Sequence, residues 1–206
     1  MSEPVSGSAV SATSVHVSGY VRFTAAGSGA VALTVDSTTV QATLDAPGAR
    51  FSAWTATIEL PTGDGAKTVT VTPSLNSVAG TAATLNLTLD TAAPVLSLAT
   101  PAEGACVDRT ASFTGTASDE GGGLAAVEVS IDGGYIWRRT ELVGSLFGLD
   151  WDLSGVQDKV TYPVRVRALD MAGNALVVAR PVSVDSMPPT GLTPATFDQP
   201  VGQHLE

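Results

Sequence analysis

The sequence predicts an all-β chain folded as two tandem Greek-key β-sandwiches, and three observations lead there. First, 21 glycines and 12 prolines punctuate 206 residues rich in threonine and valine, and no run of Leu, Glu, Lys and Arg reads as a helix. Second, apolar and polar residues alternate at period two along most of the chain, the signature of strands with one wet face. Third, a motif repeats. "LDTAAPVL" at 89–96 and "VDSMPPTG" at 184–191 place Asp90 and Asp185 95 positions apart, which is the length of one sandwich.

Residues 1–9 show no alternation and are expected to be a disordered N-terminal segment. The first module is assigned to 10–90. Its inward positions are Val15, Val17, Val21 and Phe23, then Trp54, Ile58 and Leu60, then Val69 and Val71, and finally Leu85, Leu87 and Leu89. At the joint an apolar strand ends in Asp, a Thr/Ser segment follows, and proline stops the ladder because it offers no donor. The second module is assigned to 94–186. "TASFTGTAS" sets Ala111, Phe113, Gly115 and Ala117 on one face; "AVEVSID" does so with Val127, Val129 and Ile131. "GLDWDLS" follows with Leu149, Trp151 and Leu153, and "VTYPVRVRALD" with Tyr162, Val164, Val166 and Ala168. Pro163 cannot donate, so full pairing is expected only from Val164. Residues 187–206 read as the truncated start of a further module or a tail, and Leu205-Glu206 as a cloning scar. The chain is thus expected to be a piece of a longer polypeptide.

Twenty acidic residues against 10 basic ones give a formal charge of −10, which argues against nucleic acid or an anionic membrane as partner and leaves cations as ligands. No apolar run approaches the roughly 20 residues of a membrane span. Cys106 is the single cysteine, so the chain holds no internal disulfide and no cysteine-built metal site; it reads as a small, half-buried hydrophobe. The two histidines, His16 on a wet strand face and His204 near the end, lack the partners a catalytic triad or zinc site requires. Asp150 and Asp152 alternate with apolar residues and so lie on a solvent face, not as a hydrolytic pair. "EGGGL" at 120–124 lacks the lysine and helix of a phosphate cradle and reads as a flexible turn.

"YPVRVRALDMAGNALVVARPVSVDSMPP" resembles the closing strands of bacterial immunoglobulin-like, fibronectin-III-like repeats. Tyr162, Val164, Val166, Ala168, Asp170, Ala172, Gly173, Asn174, Val184, Asp185 and Pro189 match their pattern. The first module is similar, with Leu75 to Thr81 replacing the Asp-x-x-Gly-Asn turn, and is nearest to accessory sandwich domains of secreted polysaccharide-degrading enzymes. The resemblance implies immunoglobulin-like sandwiches from an extracellular, cell-surface or periplasmic bacterial protein.

"SIDGGYIW", Ser130 to Trp137, resembles the Asp-box of sialidase-type propellers. A propeller needs several blades, and the motif occurs once. In a hairpin it has a local use: Asp132 accepts turn hydrogen bonds, and Gly133 and Gly134 supply positive φ. The same segment is similar to the hairpin of the dimerisation domain of sulfite-oxidase-type molybdenum enzymes. Tyr20, Tyr135, Trp137 and Phe51 are the aromatic residues available for stacking a sugar.

A sandwich of this type brings the chain's arrival point and two loops to one pole. That geometry gathers Asp90, Asp119, Glu120, Asp170 and Asn174. Crowded carboxylates repel unless hydrated or neutralised, and calcium suits a set of hard oxygen donors. The family resemblance implies calcium at comparable joints; the alternative is that these side chains only cap their own loops. The overall expectation is a non-catalytic structural or interaction module, a spacer or adhesive repeat touching neighbouring modules and protein or carbohydrate surfaces. The alternatives are an accessory carbohydrate-binding or domain-orienting module of a secreted enzyme, and a dimerisation domain of a periplasmic oxidoreductase.

Overall fold

The computed structural model describes residues 3–187, and every regular element in that range is a strand. The first nine are β1 (Ala9–Val10), β2 (Ser14–Arg22), β3 (Gly29–Val35), β4 (Thr38–Gln41), β5 (Thr43–Leu44), β6 (Phe51–Glu59), β7 (Gly65–Leu75), β8 (Val78–Ala79) and β9 (Ala83–Leu89). They build one sheet in the order β1-β9-β7-β3-β4, with β8 added to β7, and a facing sheet β2-β6-β5. Alternation places the side chains. Along β2 the odd positions from Val15 to Val21 point inward, and β6 answers with Trp54, Ala56 and Ile58. β3 supplies Val31, Leu33 and Val35, and β9 supplies Leu85, Leu87 and Leu89, closing a continuous apolar core.

The remaining strands are β10 (Val95–Thr100), β11 (Cys106–Val107), β12 (Thr110–Ser118), β13 (Leu124–Ser130), β14 (Arg138–Arg139), β15 (Glu141–Val143), β16 (Leu146–Asp152), β17 (Val160–Tyr162), β18 (Arg165–Asp170), β19 (Ala175–Ala179) and β20 (Val182–Val184). Sheet β10-β12-β16-β15 faces sheet β14-β13-β18-β19, and β11-β20-β17 closes one side. A second, separate core lies between them. At its centre Phe113 is wholly buried and meets Trp151 edge-on, with ring centroids 6.4 Å apart.

Several expectations need correction. Residues 3–9 of the segment expected to be disordered are tied down: Glu3 pairs with Ser18, Gly7 N–H donates to the Asn86 carbonyl, and Ala9 already lies parallel to Thr88. Backbone pairing needs no alternation, so a Ser/Gly-rich stretch docks without advertising it. Cys106 is exposed, because Val107 takes the inward position of the two-residue strand β11. Regular pairing after Pro163 resumes at Arg165, since Val164 N–H turns to the Tyr162 carbonyl at 2.9 Å. Of the further module or tail expected at 187–206, residues 188–206, His204 among them, lie outside the described residues.

Candidate functional site

The joint is organised by Asp90, the residue that follows β9. Its N–H donates to the Val10 carbonyl at 3.0 Å, so it begins as a continuation of the β1–β9 pair. Its side chain then turns toward the loop before β13. Oδ1 accepts from Ala92 N–H at 3.2 Å, Oδ2 accepts from Gly122 N–H, and the Asp90 carbonyl accepts from Asn174 Nδ2 at 2.8 Å. Asp90 has 0% exposure. A buried charge survives only with such partners.

Glycine is required at the loop that closes over it. A Cβ on Gly121 would sit 2.4 Å from the Asp90 carboxyl carbon, and one on Gly122 would sit 3.3 Å from Ala9. The loop 119–124 is therefore no free turn. Asp119 Oδ2 accepts from Gly121 N–H and Gly123 N–H at 3.1 and 2.8 Å, and Met171 N–H donates to the Gly123 carbonyl at 2.9 Å. The neighbouring turn is built alike. Asp170 Oδ1 accepts from Gly173 N–H and Asn174 N–H, while Asn174 Nδ2 donates to Asp170 Oδ2 at 2.7 Å.

Of the five residues singled out, the structure brings three carboxylates together. Asp90, Asp119 and Asp170 each present an oxygen within 4.8 Å of the others. Asp90 and Asp170 are buried and Asp119 is half-buried. Glu120 is exposed and stands outside this group, and Asn174 faces it with its amide donors. The one ion pair among the described residues joins Arg167 to Glu128 at 2.7 Å, so no basic side chain neutralises the trio. Calcium–oxygen bonds of about 2.3–2.6 Å allow ligand oxygens to lie up to about 5 Å apart. The three carboxylates fit that ion in spacing and in donor type.

A second pair of aspartates, outside the residues singled out from the sequence, braces the joint residues. Asp64, just before β7, accepts from Thr91 N–H at 3.1 Å and Thr91 Oγ1 at 3.0 Å; Asp158, before β17, accepts from Ser186 N–H at 2.7 Å and Ser186 Oγ at 3.1 Å. Each latches the residue after a joint aspartate. The Ser186 N–H holds the Asp158 carboxyl below its ordinary value of 3.8. The signal in the sequence is the 94-residue separation of Asp64 and Asp158, nearly that of Asp90 and Asp185.

The Asp-box proves to be a turn. Ser130 Oγ donates to Asp132 Oδ1 at 2.6 Å, Tyr135 and Ile136 N–H donate to the same oxygen at 2.9 and 3.0 Å, and Gly134 N–H donates to Ser130 Oγ. Gly133 and Gly134 adopt φ of 80° and 105°. Donation by Ile136 N–H above all lowers the Asp132 pKa, so its carboxylate is a fixed acceptor for the turn. Trp137 carries the Arg167 guanidinium over its ring at 4.1 Å. Tyr135 is 91% exposed at the tip. On the outer face of β2 and β6, Tyr20 and Phe51 stack with centroids 5.6 Å apart, both exposed. Asp150 and Asp152 are exposed on β16, and His16 is exposed on β2.

Fold and site together define a protein of immunoglobulin-like, fibronectin-III-like β-sandwich modules. Residues 94–166 match the family model described as a bacterial Ig domain. No curated protein matches the chain. Among solved structures, the fibronectin(III)-like modules of Clostridium thermocellum CbhA are similar with a TM-score of 0.59 and 20% identity, over 90% of this chain and 94% of that one. The I-band fragment I67–I69 of titin is similar at a TM-score of 0.45 and 14% identity, over 88% of this chain and 63% of that one. The CbhA likeness concerns the fold alone. No helix among the described residues is long and apolar enough to cross a membrane.

Proposed function

We propose that this chain is a non-catalytic structural and interaction segment of a larger exported bacterial protein. In this reading residues 10–90 and 94–186 are tandem modules that hold neighbouring parts of the polypeptide apart at a set angle. The observation that carries it is Asp90: a linker residue with no exposure, bonded to the strand before it and to both loops after it. A flexible tether would leave such a residue in water. The bacterial Ig match over 94–166 supports an extracellular or surface setting. Small-angle scattering of the full chain tests the reading: an elongated profile is expected, and a compact one contradicts it.

Calcium at the joint is favoured by one observation, the trio Asp90, Asp119 and Asp170 without a basic partner. The ion would supply positive charge among three carboxylates and lock the joint; it would supply no catalysis. Carbohydrate contact is favoured only by the exposed Tyr20–Phe51 stack, whose free ring faces suit a sugar. A glycan array separates that reading from the spacer.

A further inference from the structure

The hydrogen bonds that close the first joint recur at residues 184–187. Asp90 N–H donates to the Val10 carbonyl and Asp185 N–H to the Val107 carbonyl, both at 3.0 Å. Both follow short parallel strand pairs, β1–β9 and β11–β20. Ala92 N–H and Met187 N–H each donate back to Oδ1 of the preceding joint aspartate at 3.2 Å. Asp64 latches Thr91 as Asp158 latches Ser186. Proline follows at the same distance, Pro94 after Asp90 and Pro189 after Asp185.

The two joints differ in what covers them. Asp90 is fully buried because Gly122 and Asn174 close on it, whereas Asp185 is exposed. Asp64 Oδ2 accepts from Thr91 Oγ1 at 3.3 Å, but Asp158 Oδ2, shielded from solvent, has no donor among the described residues. Buried acceptors are almost always satisfied. Among the described residues the second joint has the strand pairing and the latch of the first without its cover, and the sequence repeats the proline.

We infer that Asp185 is the docking point for a further module of the same polypeptide, of the kind formed by residues 94–186. Such a module presents a glycine-rich loop N–H to Asp185 Oδ2, and the carboxamide of an Asp-x-x-Gly-Asn turn to the Asp185 carbonyl. Glycine is specified because a side chain at the Gly121 position would strike the carboxylate. The first half of this chain does not fit the role. Its corresponding loops close on each other, Ser28 N–H donating to Asn76 Oδ1 at 3.0 Å, and "AAGSGA" and "LNSVAGT" carry no carboxylate. The partner is thus a module of the second kind, not a second copy docking by its N-terminal half. The inference rests on the spacer reading.

The test lengthens the full chain: residues 1–188 are followed by a second copy of 94–187, which keeps the Asp185-to-proline spacing. Amide exchange is read by NMR at Gly122 of the original joint and at its appended copy. Both are expected to be protected, and Asp185→Ala should speed exchange about tenfold at the appended glycine alone, the loss of roughly one hydrogen bond. Asp90→Ala should do the same at the original glycine. An appended glycine that ignores Asp185→Ala while the original one responds to Asp90→Ala overturns this inference and leaves the spacer reading standing. Indifference at both sites overturns both. Concentration-dependent association of the unextended chain, abolished by Asp185→Ala, would make a second copy the occupant and also overturn the inference.

Discussion

Replacing Asp90 by alanine sets two opposed effects against each other. The carboxylate accepts from Gly122 N–H and Ala92 N–H, and a hydrogen bond to a charged group contributes about 1.5–3 kcal/mol. Its loss weakens the joint. The same carboxylate lies within 4.8 Å of oxygens on Asp119 and Asp170. At an effective dielectric of about 20, each such like-charge pair costs about 3–4 kcal/mol. Without a cation, Asp90→Ala therefore relieves repulsion comparable to the bonding it removes, and the melting temperature should barely move in EDTA. With calcium bound the balance changes, because the repulsion is already neutralised and a ligand is lost. Calcium at a hundred times its Kd stabilises by about 2.7 kcal/mol, which is roughly 10 °C or more for a unit of this size. The native chain should gain that shift between EDTA and millimolar calcium, and Asp90→Ala should not. Thermal melts followed by tryptophan fluorescence decide it. Identical melting temperatures of the native chain in the two conditions would refute the ion.

Three further outcomes are expected. Phe113→Ala should cost about 3–5 kcal/mol in the second core, read as a lower urea midpoint for that unfolding transition; a loss below about 1 kcal/mol would show that the wholly buried ring packs loosely. Asp158, whose pKa is depressed by the Ser186 N–H, contributes stability that is complete above its ordinary value of 3.8 and lost as pH falls below it. Acid titration should therefore release the Ser186 amide to exchange in that window, and Asp158→Asn should abolish the pH dependence. Asp132→Ala should free the Tyr135 and Ile136 amides while leaving the core melting transition within about 1 kcal/mol of native; loss of the whole second core would mean the turn is a folding element.

Much of the fold is legible because strands with one wet face must alternate. β12 reads cleanly, with Ala111, Phe113, Gly115 and Ala117 all buried and the residues between them more exposed. β13 reads less well, since Ala126 and Ser130 are buried beside Val127 and Val129, which removes the contrast that alternation depends on. β3 gives little contrast for a similar reason: in "GAVALTV" the outward Ala30 and Ala32 are apolar like the inward Val31 and Leu33. At the joint, the repeated aspartates mark a position but not its contacts. Asp90, Asp119 and Asp170 converge because one pole collects the chain's arrival and two loops, which family likeness conveys. Glu120 shares Asp119's loop but is exposed, and sequence spacing does not separate the two. The Asp64 and Asp158 latches are not legible in the sequence, because a lone aspartate beside a turn looks like any other surface charge.

In the proposed spacer, Asp90 and the loops that close on it hold the two sandwiches at a fixed angle. Residual dipolar couplings measured on the full chain, with residues 15–89 and 96–184 fitted separately, read that angle. One shared alignment tensor of equal magnitude for both segments is expected, and Gly121→Val, which drives a side chain into the Asp90 carboxylate, should split it in two. Two independent tensors in the native chain would mean that the joint is a free hinge.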